Sequence, residues 1–407
     1  MEMRDPVVLN ELHTVIVGLV ALGAGAVITQ KIPGVKKLGM PISVTGGVLV
    51  ALLVALLRST AGIEIEFGVE VRDALLLVFF TTVGLSAKLS SLKAGGKALA
   101  ILCVVIVALL VAQNLVGIGI VLALGEHPFY GLLIGSLSFV GGPGTAIAWA
   151  GEGSAMGLAN TDEVALGSAT LATLAGAMLA PLLTGWLIRR RGLSSSAKET
   201  GIPIKGGVEA QQQEHHEDDL QLKNLSVSLL VILVAVAGGG WLNDWARSHA
   251  FVLPGFLTAM LAGVLIANIG DLFGKGRVPA PIERGGALSL QLFLTLSLMS
   301  LQLWVVAPML GPLMLNVALQ VMISAFIGLI VLYRLLGRDY DAAVTAGGFV
   351  GFGLASMPVA LATMDEVTSR HGPSPKAILV ITLAGSFFVD LANATVAKLF
   401  LMLPLFN

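Results

Sequence analysis

Charge is scarce along this chain: 12% of its 407 residues are Asp, Glu, Lys or Arg, about half of the roughly 25% usual in a soluble protein. A single cysteine, Cys103, excludes an internal disulfide and any multi-cysteine metal site. The net charge of −1 gives no basic footprint for nucleic acid. There is no Walker loop, no glycine fingerprint after a strand and no H-E-x-x-H, so nothing points to ATP, a cofactor or enzymic chemistry. What is abundant is apolar: 56% of residues are hydrophobic, with a mean hydropathy of +0.91. The apolar runs are about 20 residues long, the length of helical membrane spans rather than of barrel strands. The start, Met1-Glu2-Met3-Arg4-Asp5-Pro6, lacks a signal-peptide charge pattern. The first apolar run is expected to act as its own insertion signal.

The expected fold is an all-α integral membrane protein with ten transmembrane helices. Five spans are placed near residues 9–29, 42–57, 73–89, 98–124 and 163–188, and five more near 224–242, 254–270, 286–305, 314–334 and 377–403. The stretches 130–160 and 342–364 are apolar but broken by glycine and proline, and are read as re-entrant hairpins. Residues 1–188 form the first repeat and 223–407 the second. The polar segment 189–222, with Arg189-Arg190-Arg191 and the run Gln211 to Asp219, is a cytoplasmic linker. His215-His216 in that run is read as solvated rather than as a metal site, because a linker does not fix ligand geometry. With the N-terminus outside, 19 of the 24 Lys and Arg residues fall inside and five outside, as the positive-inside rule requires. That count holds only if residues 130–160 do not cross fully.

The two halves echo each other. Gly142 and Gly144 fall on Gly351 and Gly353 at an offset of 209 residues, as does Thr173-Leu174-Ala175-Gly176 on Thr382-Leu383-Ala384-Gly385. Pro41 and Thr45 fall on Pro254 and Thr258 at 213, and Val78 to Thr81 on Leu292 to Thr295 at 214. An odd number of spans per half inverts the second repeat relative to the first, so the hairpins enter from opposite sides and their tips can meet.

Broken backbone at membrane depth is tolerated only where protein buries it or where it lines a cavity. The tips carry no basic side chain. Their means of holding an anion are backbone N–H groups at helix ends, with the Thr145 and Ser356 hydroxyls. The candidate substrate-binding residues are therefore Gly141, Gly142, Gly144, Thr145, Gly351, Gly353 and Ser356; close helix packing is the alternative for the glycines. Asp390 is the one carboxylate placed deep in a span, and Asn393 shares its helix face. The pair is read as oxygen ligands for Na⁺ or as a polar anchor for a hairpin. Gln113, Asn114 and Gln320 are read either as interhelical hydrogen bonds or as site-lining groups. Thr81, Thr82, Thr295, Ser297 and Ser300 are each read as structural, bonding back to their own helices.

Several stretches together resemble the bacterial sodium/glutamate symporters: Phe79 to Leu85, Leu92-Lys93-Ala94-Gly95-Gly96, Gly141 to Thr145, Asp339 to Val344, Gly351 to Leu354, Phe387 to Asn393, and Leu401 to Phe406. They are collinear with that family over nearly the whole chain. The resemblance implies an inner-membrane homodimer with ten spans and two hairpins. It also implies glutamate uptake coupled to Na⁺, with a transport domain moving against a scaffold. Two departures bear on the substrate. Pro143 stands where the family usually has histidine, and Phe349 and Val350 stand where it has histidine and cysteine. Another organic anion, such as a hydroxycarboxylate, is the alternative cargo, and a channel is the alternative class.

Overall fold

The computed structural model describes residues 7–32, 41–87, 95–195, 222–248, 254–272, 280–385 and 388–406. Gln211 to Asp219 with His215-His216, Leu92 to Ala94, and Phe387 lie outside the described residues. The described chain is almost entirely helical, with one two-residue parallel bridge between β1 (Val7–Val8) and β2 (Ile65–Glu66).

The long apolar helices are α1 (Glu11–Lys31), α2 (Ile42–Ala61), α3 (Glu70–Ser86), α4 (Gly96–Ala123), α7 (Thr161–Arg191), α8 (Leu222–Ser248), α9 (Gly255–Leu272), α10 (Ala280–Met299) and α11 (Leu310–Phe326, continuing to Leu335). Between α4 and α7 lie α5 (Pro128–Leu132) and α6 (Gly142–Ala155). After α11 come α12 (Tyr340–Ala355), α13 (Met357–His371), α14 (Pro375–Gly385) and α15 (Phe388–Leu401). Local chemistry sets their ends. The Asn10 side chain accepts from the His13 N–H at 2.9 Å at the start of α1. Gly62, at φ +66°, closes α2 in the left-handed conformation open to glycine. The Asp339 carboxylate accepts from the Ala342 N–H at 2.7 Å to open α12.

Among the described residues, six helices are long and apolar enough to cross a membrane, seven if α14 and α15 count as one bent span. The chain is thus a multi-pass membrane protein. Three of the ten expected spans fall outside that count. Helix α3 has only 17 residues and opens on Glu70, Arg72 and Asp73, α9 has only 18 residues, and α10 carries Glu283 and Arg284. The expected last span is two helices bent by 44°.

The helices gather into two compact units that cut across the sequence halves. The first takes Met1–Lys88, Ile147–Leu166 and His216–Met309; the second takes Leu89–Ala146, Gly167–His215 and Leu310–Asn407. Each unit therefore draws on both halves. Element boundaries recur at a steady spacing. Helices α2 and α9 open 213 residues apart, at Ile42 and Gly255. Helices α4 and α11 open 214 apart, at Gly96 and Leu310, and α7 and α14 also 214 apart, at Thr161 and Pro375.

In the first unit, helices approach closely through small residues. A Cβ on Gly263 of α9 would lie 2.7 Å from the Thr81 carbonyl oxygen of α3, and one on Gly47 of α2 would lie 2.5 Å from the Leu298 Cβ of α10. Phe80 and Phe256 fill the space beside these contacts, ring centroids 4.7 Å apart. The Glu11 carboxylate receives the N–H groups of Glu70 and Val71 at 3.2 Å each, capping α3 from the first turn of α1. Thr82, Thr295 and Ser300 return their hydroxyls to Phe79, Gln291 and Leu296 of their own helices, the structural role expected of them.

In the second unit α4 is the central post. Its Leu102, Ile106, Leu109 and Leu110 are fully buried. Its Gly117 meets Gly131 of α5 with no room for a Cβ on either side. Both hairpin breaks sit in this unit.

Candidate functional site

The first hairpin descends through α5 and a π-helical turn at Leu133–Leu137, where Gly135 leaves helical geometry at φ −96°, ψ −135°. Such turns free backbone groups from the helical ladder. Ser138 returns its hydroxyl to the Leu133 carbonyl. The helix ends at Val140 and Gly141, and a new one begins at Gly142, with φ +69°. The second hairpin descends through α12, breaks at Ser356 with φ +78° and ψ 173°, and continues as α13. That backbone region is nearly exclusive to glycine, and a serine held there stores strain of about 1–3 kcal/mol.

The two breaks touch. A Cβ built on Gly142 would lie 2.9 Å from the Ser356 Cβ and 3.1 Å from its Oγ. They are 214 residues apart, the interval at which α4 and α11 repeat. Each is followed by proline, Pro143 and Pro358, which suits a helix's first turn because the missing N–H has no intrahelical acceptor there. The first turns of α6 and α13 thus open side by side. Their orphan donors are the N–H groups of Gly142 and Gly144 on one side and of Met357 and Val359 on the other. The positive ends of two helix dipoles coincide with them. Neither the Thr145 nor the Ser356 hydroxyl has a hydrogen-bond partner among the described residues. No Lys or Arg occurs in residues 128–155, and the only one in residues 340–371 is Arg370, near the far end of α13.

The structure separates the candidate residues. Gly141, Gly142, Gly144, Thr145 and Ser356 lie at the paired breaks. Gly351 and Gly353 do not, because α12 runs unbroken through both, and its ladder uses their N–H groups. Gly351 instead lets the hairpin arms close, with a Cβ there falling 2.7 Å from the Ala360 Cα. Gly353 contributes its carbonyl, which accepts from Gln113 Nε2 at 2.6 Å. The offset of 209 pairs sequence glycines but not structural breaks; the breaks pair Gly142 with Ser356. Phe349 and Val350 are buried two turns before the break, where Phe349 stacks edge-on against Phe352 and both crowd Gly328 of α11. Of the departures noted from the sequence, only Pro143 stands in a tip.

Asn393 is fully buried and grips Ser136 twice. Its Oδ1 accepts from Ser136 Oγ at 2.6 Å, and its Nδ2 donates to the Ser136 carbonyl at 3.1 Å. These two bonds tie α15 to the π-helical turn. Asn114 Oδ1 takes the Ser136 N–H at 2.9 Å, and Asn316 Nδ2 donates to the Ile134 carbonyl at 2.7 Å. The π-helical turn of the first hairpin is thereby held by α4, α11 and α15. Sequence reading missed Ser136 and Asn316; a serine and an asparagine inside long apolar runs were the only sign of them. Asp390 falls in the first turn of α15, not midway along a continuous helix. It is partly buried and has no hydrogen bond or ion pair among the described residues. A carboxylate there also complements the helix dipole.

Two helix breaks thus face each other without a basic side chain in an all-α, multi-pass membrane protein. The chain belongs to the sodium/glutamate symporter family, whose profile it matches over residues 7–373. It is similar to the sodium/glutamate symporters of Escherichia coli K12 and Shigella flexneri, each 35% identical over 404 residues, covering 98% of this chain and 99% of theirs. It is also similar to that of Haemophilus influenzae, 32% identical over 388 residues, covering 95% of this chain and 96% of the relative.

Proposed function

We propose that this chain is a secondary transporter that takes up glutamate with Na⁺, and that the facing first turns of α6 and α13 receive a substrate carboxylate. The carrying observation is the contact of Gly142 with Ser356. It brings two sets of orphan N–H donors and two hydroxyls to one place, with neither a hydrogen-bond partner for the hydroxyls nor a fixed cation among the described residues. An anion at such a place is held by dipoles and hydrogen bonds, and a co-bound cation offsets its remaining desolvation cost. Membership in a family named for symport of sodium and glutamate supports this cargo and this coupling ion. It also supports a transporter over an enzyme or a channel. Asp390, without a partner among the described residues, is the carboxylate offered to Na⁺, and Asn393 serves as anchor.

The recurring interval of 213–214 residues supports two repeats, 1–188 and 223–407, joined by the linker 189–222. Ten membrane passes follow if α3, α9 and α10 cross in the company of neighbours and α14 with α15 counts as one pass. An odd number of passes per repeat then inverts the second. Both tips belong to the second compact unit, which suits it to carry substrate in an elevator-like cycle of alternating access. We place the protein in the bacterial inner membrane as a homodimer, as the resemblance implies. Pro143 in the tip removes one N–H and any side-chain donor at that position, so a related dicarboxylate is the second cargo to test. Reconstituted protein under an imposed Na⁺ gradient is expected to accumulate labelled L-glutamate saturably. Equal uptake with K⁺ in place of Na⁺ rejects symport, and selective uptake of a hydroxycarboxylate moves the cargo to that class.

A further inference from the structure

Three successive residues at the second break each meet a glycine of a different helix. Ser356 meets Gly142 of α6. Ala355, just before it, meets Gly176 of α7, where a Cβ would lie 2.8 Å from the Ala355 Cβ and 3.1 Å from the Leu354 Cβ. Met357, just after it, meets Gly385, the last residue of α14, where a Cβ would lie 2.7 Å from the Met357 Cε and 3.0 Å from its Cγ. All of them belong to the second unit. Gly176 and Gly385 close the repeated stretches Thr173-Leu174-Ala175-Gly176 and Thr382-Leu383-Ala384-Gly385. A repeat in each half would be expected to serve its own hairpin, yet both glycines fall on the second, one before Ser356 and one after. Glycine weakens a helix, so a glycine within one calls for a packing reason. The two hairpins are also held differently. Asn114, Asn316 and Asn393 hold the turn of the first through hydrogen bonds. Among the described residues no side-chain hydrogen bond reaches residues 354–357, and the nearest is that of Gln113 to the Gly353 carbonyl. Packing sets the position of the second tip.

We propose that Gly176 and Gly385 are positioning residues for substrate. By letting α7 and α14 close on the chain at either side of Ser356, they fix where the Ser356 hydroxyl and the Met357 N–H stand. This rests on the reading of the paired breaks as a carboxylate site. Hydrogen bonds to a carboxylate are best at about 2.7–2.9 Å and weaken within a few tenths of an ångström. A methyl group on Gly176 would stand 2.8 Å from the Ala355 Cβ, against an ordinary carbon contact of about 3.5–4.0 Å. The tip would have to retreat by roughly 1 Å, more than those bonds tolerate. Neither neighbour of Gly176 can swing aside, because both are Cβ atoms fixed to the α12 backbone. At Gly385 the neighbour is a flexible thioether, so a methyl group there moves the Met357 side chain first and the tip less. Alanine is the better helix former at both places, so the cost of either change falls on the tip and not on α7 or α14.

The test uses purified full-length protein at saturating Na⁺ and measures the dissociation constant of labelled L-glutamate, which does not depend on how much of a sample is folded. The proteins are wild type, Gly176→Ala, Gly385→Ala and the double variant Gly176→Ala with Ala355→Gly. Gly176→Ala is expected to raise the constant about tenfold or more, the loss of one charge-assisted hydrogen bond. Gly385→Ala is expected to raise it by about threefold, since the thioether yields first. In the double variant the atom that the new methyl group strikes is gone, and affinity is expected to return to within about threefold of wild type. A purely structural role predicts another pattern: a lower melting temperature with wild-type affinity in the protein that folds. Wild-type affinity in folded Gly176→Ala would therefore overturn the proposal. So would a loss that Ala355→Gly does not relieve, because the methyl group would then be acting somewhere other than the tip. Should Gly176→Ala not fold, Gly385→Ala decides, and wild-type affinity there overturns the proposal. Failure of wild type itself to bind L-glutamate rejects the reading of the paired breaks, an outcome distinct from any difference among the variants.

Discussion

Gly142→Ala tests the contact between the hairpin breaks. The substitution adds one methyl group with two separable consequences. Gly142 has φ +69°, where an L side chain costs about 1–2 kcal/mol. The new Cβ would also lie 2.9 Å from the Ser356 Cβ, an overpacking that costs roughly 1–3 kcal/mol more. The sum is about 2–5 kcal/mol, and at roughly 2–4 °C per kcal/mol for a unit of some 200 residues the melting temperature falls by about 4–20 °C. Ser356→Gly separates the two. Alone, it removes a serine from a glycine-only conformation and raises stability by about 1 kcal/mol or more. Combined with Gly142→Ala, it removes the atoms that the new methyl would strike, so only the φ cost remains. The double variant is therefore expected to be more stable than the two single effects sum to, by about 1–3 kcal/mol of coupling. The assay is the melting temperature of the four purified proteins in one detergent without ligand. Strict additivity would mean that the breaks do not touch, and the shared anion site would lose its geometry.

Asn393→Leu breaks both bonds to Ser136 and leaves its buried hydroxyl without an acceptor, while its carbonyl keeps the Val140 and Gly141 N–H groups. At about 1–3 kcal/mol for the orphaned hydroxyl, thermal unfolding is expected a few degrees lower, with loss of glutamate binding; unchanged melting removes Asn393 as the anchor. Asp390 has no partner to lose among the described residues, so Asp390→Asn is expected to keep wild-type melting in choline and to weaken the Na⁺ dependence of uptake. Full Na⁺ dependence in that variant takes Asp390 out of the ion path. The Arg72–Asp162 pair, at 3.3 Å with the Asp162 side chain 39% exposed, is worth roughly 0–1 kcal/mol. Asp162→Asn is expected to move the melting temperature by no more than about 4 °C, and a larger fall would show that the pair is shielded from water.

The membrane class and the helical content were legible because apolar run length reports them directly. The two helix breaks were legible because glycine and proline cluster at both. Their register was not. Gly351 and Gly353 look like breakers, yet the surrounding packing keeps α12 helical through both, and the break falls at Ser356, a residue type that rarely accepts φ +78°. Pro358, already part of the second interruption, marks the register better than the glycines do, since proline marks the first turn of a helix and Pro143 does the same in the other hairpin. Asn393 was visible as a costly polar group in a span, but whether it held an ion or another helix depended on Ser136, 257 residues away. The amides of Gln113 and Gln320 were ambiguous for the same reason. Only their partners, the Gly353 carbonyl of α12 for one and the Gln113 carbonyl of α4 for the other, show how each is used.

The central claim is that a substrate carboxylate binds at helix ends with no fixed cation and relies on bound Na⁺. The most direct measurement is the dissociation constant of L-glutamate for the purified protein across a Na⁺ titration at constant ionic strength, with K⁺ replacing Na⁺. Glutamate affinity is expected to rise with Na⁺, and Na⁺ affinity to rise with glutamate by the same factor, as linkage requires. The same glutamate affinity at zero and at saturating Na⁺ would contradict it, for the anion would then be neutralised by some group other than a bound ion.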